Sequence, residues 1–199
     1  MPDIAALVQR ATELSAAGGR RLLGVTGAPG AGKSTVTSAL VDALGASRAV
    51  VVPMDGFHLA DPLLTALGRR DRKGAPDTFD VDGYVALLQR LRTATDVVYA
   101  PVFRRELELA EAGAIPVDAE VPLIITEGNY LLTWPAVRAE LDEVWYLEVS
   151  DEVRQQRLVE RRLGYGEDAA TARAWATGSD QHNADVVAAC RDLADLVVG

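Results

Sequence analysis

Nine consecutive residues, Gly27-Ala28-Pro29-Gly30-Ala31-Gly32-Lys33-Ser34-Thr35, have the types and spacing to grip a chain of phosphates. They follow the pattern G-x-x-x-x-G-K-S of a phosphate-binding loop. Gly27, Gly30 and Gly32 allow the backbone to curl until successive N–H groups, Ala31 among them, point into one concavity. A helix that starts at the end of the loop adds the positive pole of its dipole. Lys33 then reaches the β- and γ-phosphates, Ser34 offers its hydroxyl to Mg²⁺, and Thr35 closes the set of nucleotide contacts.

Two acids follow at matching places. The β-branched run Ala49-Val50-Val51-Val52-Pro53-Met54-Asp55 reads as a strand that ends in Asp55, and Val121-Pro122-Leu123-Ile124-Ile125-Thr126-Glu127 as a strand that ends in Glu127. In open α/β sheets ligands sit at the carboxyl ends of strands, so both acids belong near the phosphates. Asp55 is the candidate general base for a substrate hydroxyl, or a group that orients it. Glu127 is the candidate metal-site carboxylate, standing where an aspartate is usual. His58 either binds substrate or packs. Arg69, Arg72 and Lys73, in a loop with Gly and Pro at both ends, either meet an anionic group or lie in a solvated charged loop. Phe103, Arg104 and Arg105 either contact substrate or pair with Glu106 and Glu108. The run 151–163 places Arg154, Arg157, Arg161 and Arg162 largely on one side of a helix, as a lid closing on a transferring phosphate would need.

These residues require strands that converge at one edge. Apolar periodicity predicts a helix over 3–17, a strand before the glycine loop, and a helix from Ser34 to Leu44. A short helix is expected from Asp61, with Asp61 as its cap and Pro62 first inside it, and a longer one capped by Asp80. Residues 96–101 read as a strand stopped by Pro101, and the segment to Glu120 as a surface excursion. A helix over 134–141 and a strand over 143–149 come next. The remainder reads as helices over 151–163, 168–176 and 180–193, the last capped by Ser179 or Asp180, and a strand over 195–198. At 199 residues and 49% apolar content the chain suits a single domain over 1–199.

The net charge of −9 opposes non-specific nucleic-acid binding. One cysteine, Cys190, precludes an internal disulfide and reads as a buried thiol in the last helix. No signal peptide and no apolar run long enough for a membrane span stand out, so a cytoplasmic protein without membrane or nucleic-acid partners is expected. Two functions remain open at this point: phosphoryl transfer to a small metabolite, or a regulatory nucleotide-binding NTPase with no metabolite acceptor. A Ras-type guanine motif, Asn-Lys-x-Asp, is absent, since the chain has only two lysines, Lys33 and Lys73.

Together with the glycine loop, Met54-Asp55-Gly56-Phe57-His58-Leu59, Arg72-Lys73-Gly74-Ala75-Pro76-Asp77-Thr78-Phe79-Asp80 and Glu127-Gly128-Asn129-Tyr130-Leu131-Leu132 resemble the P-loop small-molecule kinases. That superfamily includes phosphoribulokinase, uridine kinase and bacterial pantothenate kinase. The nearest resemblance is to a bacterial branch described as nucleoside/nucleotide kinase-like or as fructose-transport-system kinases, and it runs from about Leu22 to Val198. The resemblance implies a three-layer α/β/α fold with a mainly parallel five-stranded core sheet and a helical lid at about 151–178. It implies ATP and Mg²⁺, a hydroxyl-bearing sugar, nucleoside or pantothenate-like acceptor, and room for a homodimer. It assigns Lys33 and Ser34 to the nucleotide, Asp55 to catalysis, Glu127 to the metal, Arg157 and Arg161 to the lid, and Asn183 to the nucleotide base. Tyr130, in the third motif, joins Asp55, His58, Arg69, Lys73, Phe103, Arg104 and Arg105 on the acceptor side. The stretch around Phe103-Arg104-Arg105 lacks the Tyr-Asp pair of uridine kinases, and the chain is shorter than pantothenate kinases, which argues against both acceptors.

Overall fold

A computed structural model describes residues 3–199. Helix α1 (Ile4–Ala16) leads into β1 (Arg21–Gly27), α2 (Lys33–Leu44) and β2 (Ala49–Pro53). After a 3₁₀ turn at Met54–Phe57 come α3 (Asp61–Ala66), α4 (Val81–Thr93) and the strands β3 (Val98–Arg104) and β4 (Leu109–Val117). The chain continues through β5 (Leu123–Gly128), α5 (Pro135–Ala139), β6 (Glu143–Leu147), α6 (Asp151–Gly164), α7 (Ala169–Thr177), α8 (Ser179–Ala188) and β7 (Leu196–Val198).

The main sheet has the order β2-β5-β1-β6-β7, and every pairing in it is parallel. Parallel sheets are covered on both faces, which is why these strands are continuous apolar runs. The alternation of a strand divides their side chains between two cores. Leu23, Val25, Leu123, Ile125, Trp145 and Leu147 meet α1 and α2 through Leu7, Ala11, Val36 and Leu40. Leu22, Val52, Ile124, Val144 and Tyr146 face Tyr84, Leu88 and Leu91 of α4, Val137 of α5 and Val187 of α8. The result is a three-layer α/β/α fold. No described helix is long and apolar enough to cross a membrane.

Several local features differ from expectation. Pro101 does not stop β3 but lies within it, at a register shift between Ala100 and Val102. A residue without an N–H is tolerated at such an irregularity. The expected surface excursion contains β4, antiparallel to β3, so this pair stands apart from the main sheet as a hairpin. Strand β2 ends at Pro53, and Asp55 sits in the 3₁₀ turn that follows. Ala60, not Asp61, precedes α3; the Asp61 carboxylate instead pairs with Lys73 and Arg70. Gly178, with no side chain to offer, precedes α8 in place of Ser179 or Asp180. Helix α8 ends at Ala188, so Cys190 is half-buried in the turn beyond it. Asp80 and Asp168 do cap α4 and α7, accepting from Gly83 and from Ala170 and Thr171.

The hairpin is held against the 3₁₀ turn by a close backbone approach. A Cβ placed on Gly56 would lie 2.7 Å from the Pro101 carbonyl oxygen, a main-chain atom that cannot swing aside. Gly56→Ala is therefore expected to force the hairpin away from Asp55. The cost should be about 1–3 kcal/mol of stability, as for other overpacked sites, read as a lowered denaturant midpoint together with reduced activity.

Candidate active site

The glycine loop joins the end of β1 to α2, which begins at Lys33. Lys33, Ser34 and Thr35 thus occupy the first turn, whose N–H groups have no partner within the helix. Gly30 has φ +82° and faces α6 so closely that an added Cβ would lie 2.7 Å from the Arg154 carbonyl oxygen. Only glycine meets both conditions without strain. Arg157 of α6 donates to the carbonyls of Gly30 and Ala31 at 3.2 and 3.4 Å, bracing the loop from outside.

The Lys33 ammonium turns inward. Its Nζ donates to the carbonyls of Gly27 and Ala28 at 2.9 and 3.1 Å and to Asn129 Oδ1 at 2.7 Å. Desolvation lowers its pKa to about 8, opposed by the charges of Glu127 and Asp55 and assisted by those of Arg161 and Arg105. Asn129 follows β5 directly. Its carbonyl and that of Gly128 both lie within bonding distance, 3.0 and 2.9 Å, of the buried Thr26 hydroxyl. One strand over, Thr126 donates to the Val52 carbonyl and receives the Tyr84 hydroxyl. Buried side-chain bonds therefore lock the ends of β2, β5 and β1 together beneath the site.

Glu127 accepts a hydrogen bond from the Ser34 hydroxyl at 2.7 Å. Burial raises its pKa above the usual carboxylate range, countered first by Lys33 and then by Ser34. A hydroxyl and one carboxylate are oxygen donors of the kind Mg²⁺ takes alongside phosphate oxygens and water. Among the described residues no three His, Cys, Asp or Glu side chains gather into a metal cage. Ser34 and Glu127 therefore fit an ion that draws its other ligands from phosphates and water.

Asp55 is half-buried and binds Arg105 Nη2 at 2.6 Å through Oδ2. His58 lies between the rings of Phe79 and Phe103, at centroid distances of 4.1 and 4.5 Å, with Nδ1 2.7 Å from the Asp55 carbonyl oxygen. Burial lowers its pKa, against the charge and the backbone bond of Asp55. A neutral ring is the form that suits this slot. Arg161 makes no hydrogen bond or ion pair among the described residues. Desolvation and the charge of Arg105 lower its pKa, with Asp180 opposing.

The structure thus gathers Lys33, Ser34, Asp55, Glu127, His58, Phe103, Arg105 and Arg161 near the ends of the strands, with Arg157 on the outer side of the loop. Other expected members lie elsewhere or are occupied. Tyr130 is fully buried, its ring among Phe79 and Trp134 and its hydroxyl donating to the Gly74 carbonyl at 2.6 Å. Its aromatic bulk fills the core beneath the site and leaves no face for a substrate. Asn183 is buried, and its amide lies 3.5 Å from the same Gly74 carbonyl, so its partner is the acceptor-side loop and not an open nucleotide cleft. Lys73 pairs with Asp61 and Glu108, Arg69 with Asp77, and Arg104 with Glu111. The arginine stripe of α6 divides: Arg154 is buried beside Asp151 and Gln181, and Arg162 pairs with Glu167 over the Trp175 ring.

Residues 22–198 match the sequence model of the Phosphoribulokinase / Uridine kinase family. The chain belongs to that family. It is a P-loop kinase, a nucleotide-binding phosphotransferase. A candidate uridine kinase of Schizosaccharomyces pombe is 34% identical over 184 residues, covering 83% of this chain and 77% of that one. A pantothenate kinase of Shouchella clausii is 31% identical over 116 residues, covering 56% of this chain and 36% of that one. Among solved structures, a candidate fructose transport system kinase of Silicibacter sp. TM1040 superposes with a TM-score of 0.89 at 42% identity, covering 98% of both chains.

Two expectations follow from the family site's geometry. Lys33 carries its charge in the free protein below about pH 8. Triphosphate affinity should be level below that pH and fall about tenfold per unit above it, because the bound form holds the proton more tightly. Lys33→Ala should bind weakly with that slope removed, measured by titration calorimetry from about pH 7 to 10. Asn129→Ala leaves a buried ammonium one acceptor short, which should cost about 1–3 kcal/mol in stability or nucleotide binding, measured by thermal melts with and without ATP·Mg²⁺.

Proposed function

We propose that the chain transfers the γ-phosphoryl group of ATP to a hydroxyl of a small metabolite in the cytoplasm. The observation that carries this reading is the place of Asp55. Its carboxylate lies beside the end of β2 and acts electrostatically on both Lys33 and Glu127, so an acid faces the phosphate loop across one cleft. A simple nucleotide switch has no use for a base there.

Lys33 and the first-turn N–H groups of α2 hold the β- and γ-phosphates. Ser34 and Glu127 hold Mg²⁺, which when bound neutralises charge on the phosphate oxygens. Asp55 accepts the proton of the acceptor hydroxyl as its oxygen forms the new bond to phosphorus and the bond to the β-phosphate oxygen breaks. Arg161, whose side chain makes no hydrogen bond or ion pair among the described residues, stabilises charge on the moving phosphoryl group. Arg157 keeps the loop in its binding shape. Helices α6 and α7 act as the lid over 151–178 of a single domain, and their closure excludes water that would otherwise receive the phosphate.

A coupled ADP-release screen over sugars, nucleosides, vitamins and hydroxy acids tests the reading. Asp55→Asn should lower kcat for the true acceptor by about 10²-fold or more while leaving ATP affinity within a few-fold. Unchanged transfer in that variant would remove Asp55 from the chemistry. Arg161→Ala should lower kcat more than it raises KM, as expected of a group acting in the transition state; an effect on KM alone would reduce Arg161 to a binding contact.

A further inference from the structure

Arg105 is more than phosphoryl transfer to a neutral alcohol requires. It follows β3 at the near end of the hairpin, and its Nη2 reaches Asp55 Oδ2 at 2.6 Å. Among the described residues this is the one hydrogen bond of its side chain, although a guanidinium carries five N–H donors. The side chain is 46% exposed, so its other donors remain accessible. It engages one oxygen of the Asp55 carboxylate and leaves Oδ1 for the acceptor hydroxyl.

The neighbouring charges sharpen the point. The other basic side chains on this side are paired within the fold: Arg70 with Asp61, Lys73 with Asp61 and Glu108, Arg69 with Asp77, Arg72 with Asp77 and Asp71, and Arg104 with Glu111. The charge of Arg105 disfavours the charged form of Arg161. Asp180 faces them from α8, but its buried Oδ2 has no hydrogen-bond partner. With so few partners among the described residues, the Arg105 and Arg161 side chains keep donors for incoming negative charge. Arg105 and Arg161 both act electrostatically on Lys33, and Arg161 stands on α6, whose Arg157 braces the phosphate loop. Arg105, bonded to Asp55, stands where the acceptor arrives.

We propose that the acceptor carries an anionic group, a carboxylate or a phosphate, within a few bonds of the hydroxyl that is phosphorylated. Arg105 binds this group with its free donors while one N–H keeps Asp55 turned toward the hydroxyl. A guanidinium suits both tasks, because its planar fork presents parallel donors to carboxylate or phosphate oxygens. The His58 and Phe103 rings, in tilted contact, lie on the same side and leave the charge of the acceptor to Arg105. The assignment rests on the kinase reading and narrows it to hydroxy acids and sugar phosphates.

Matched pairs in the ADP-release assay decide it. One arm compares glycerate with glycerol and gluconate with sorbitol; the other compares fructose 1-phosphate with fructose and ribose 5-phosphate with ribose. Turnover is expected in one arm, with kcat/KM for the charged member at least about 100-fold above its neutral counterpart. Arg105→Gln should lower kcat/KM for the charged member at least about tenfold more than for the neutral one, and Arg105→Lys should restore part of the difference. Circular dichroism melts check that the variants are folded. Equal use of charged and neutral members overturns the assignment, as does an equal loss on both in Arg105→Gln. If ATP·Mg²⁺ binds by calorimetry yet no charged member is phosphorylated, the anionic acceptor is wrong and the kinase reading stands. If ATP·Mg²⁺ does not bind, the kinase reading fails and the assignment with it.

Discussion

The half-buried ammonium of Lys33 constrains the rest of the structure. A charge withdrawn from water needs every donor matched, and Nζ finds its three acceptors on two different chain segments. Gly27 and Ala28 belong to the loop after β1, and Asn129 to the turn after β5. The arrangement holds only while β1 and β5 are paired in the register that sets Thr26 beside Gly128, and the Thr26 hydroxyl fastens that register from within. Strand order and phosphate site are thus one requirement. The depressed pKa of Lys33 is its electrostatic trace: the fold holds a cation at a place that favours it less than water does until phosphate arrives.

Around this centre opposite charges come from separate parts of the fold. Glu127 and the Asp55 turn lie at the ends of neighbouring strands, since Pro53 pairs with Glu127. The cations that meet them come from outside the sheet, Arg105 from the hairpin and Arg157 and Arg161 from α6. The acids are therefore set by the rigid core, beneath which Tyr84 and Thr126 bond in full burial. The arginines are set by elements outside the sheet, the hairpin and α6. That division suits a reaction in which the reacting atoms need fixed geometry and the developing charge needs enclosure.

The parts of the site that are local in sequence were legible there. The glycine loop is contiguous, and an apolar strand ending in an acid is readable wherever it occurs, so Lys33, Ser34, Asp55 and Glu127 stood out before any coordinates. What depended on distant partners did not. Asn129 looked like one letter of a motif, yet a lysine leaving a glycine loop needs an acceptor, and an amide at the next strand end is the natural source. Tyr130 and Lys73 had functional residue types, but Tyr130 fills the core and Lys73 ties α3 to the hairpin tip through Asp61 and Glu108. The hairpin itself was obscured because β4 is largely exposed and built mostly of small residues with Gly113 and Pro116 inside it, giving no alternation to read, and because Pro101 resembled a terminator. The arginine stripe on α6 was visible as charge, but its division depended on Asp151, Gln181 and Glu167 standing opposite Arg154 and Arg162.

The central claim is that phosphate from ATP reaches a small organic hydroxyl and not water. ³¹P NMR of the protein with ATP, Mg²⁺ and a low-molecular-weight metabolite extract follows every phosphorus species at once. The account predicts a new phosphate-ester resonance that grows in step with ADP, disappears when Asp55 is replaced by asparagine, and exceeds inorganic phosphate throughout. Growth of inorganic phosphate alone, at the same rate with and without the extract, would contradict it.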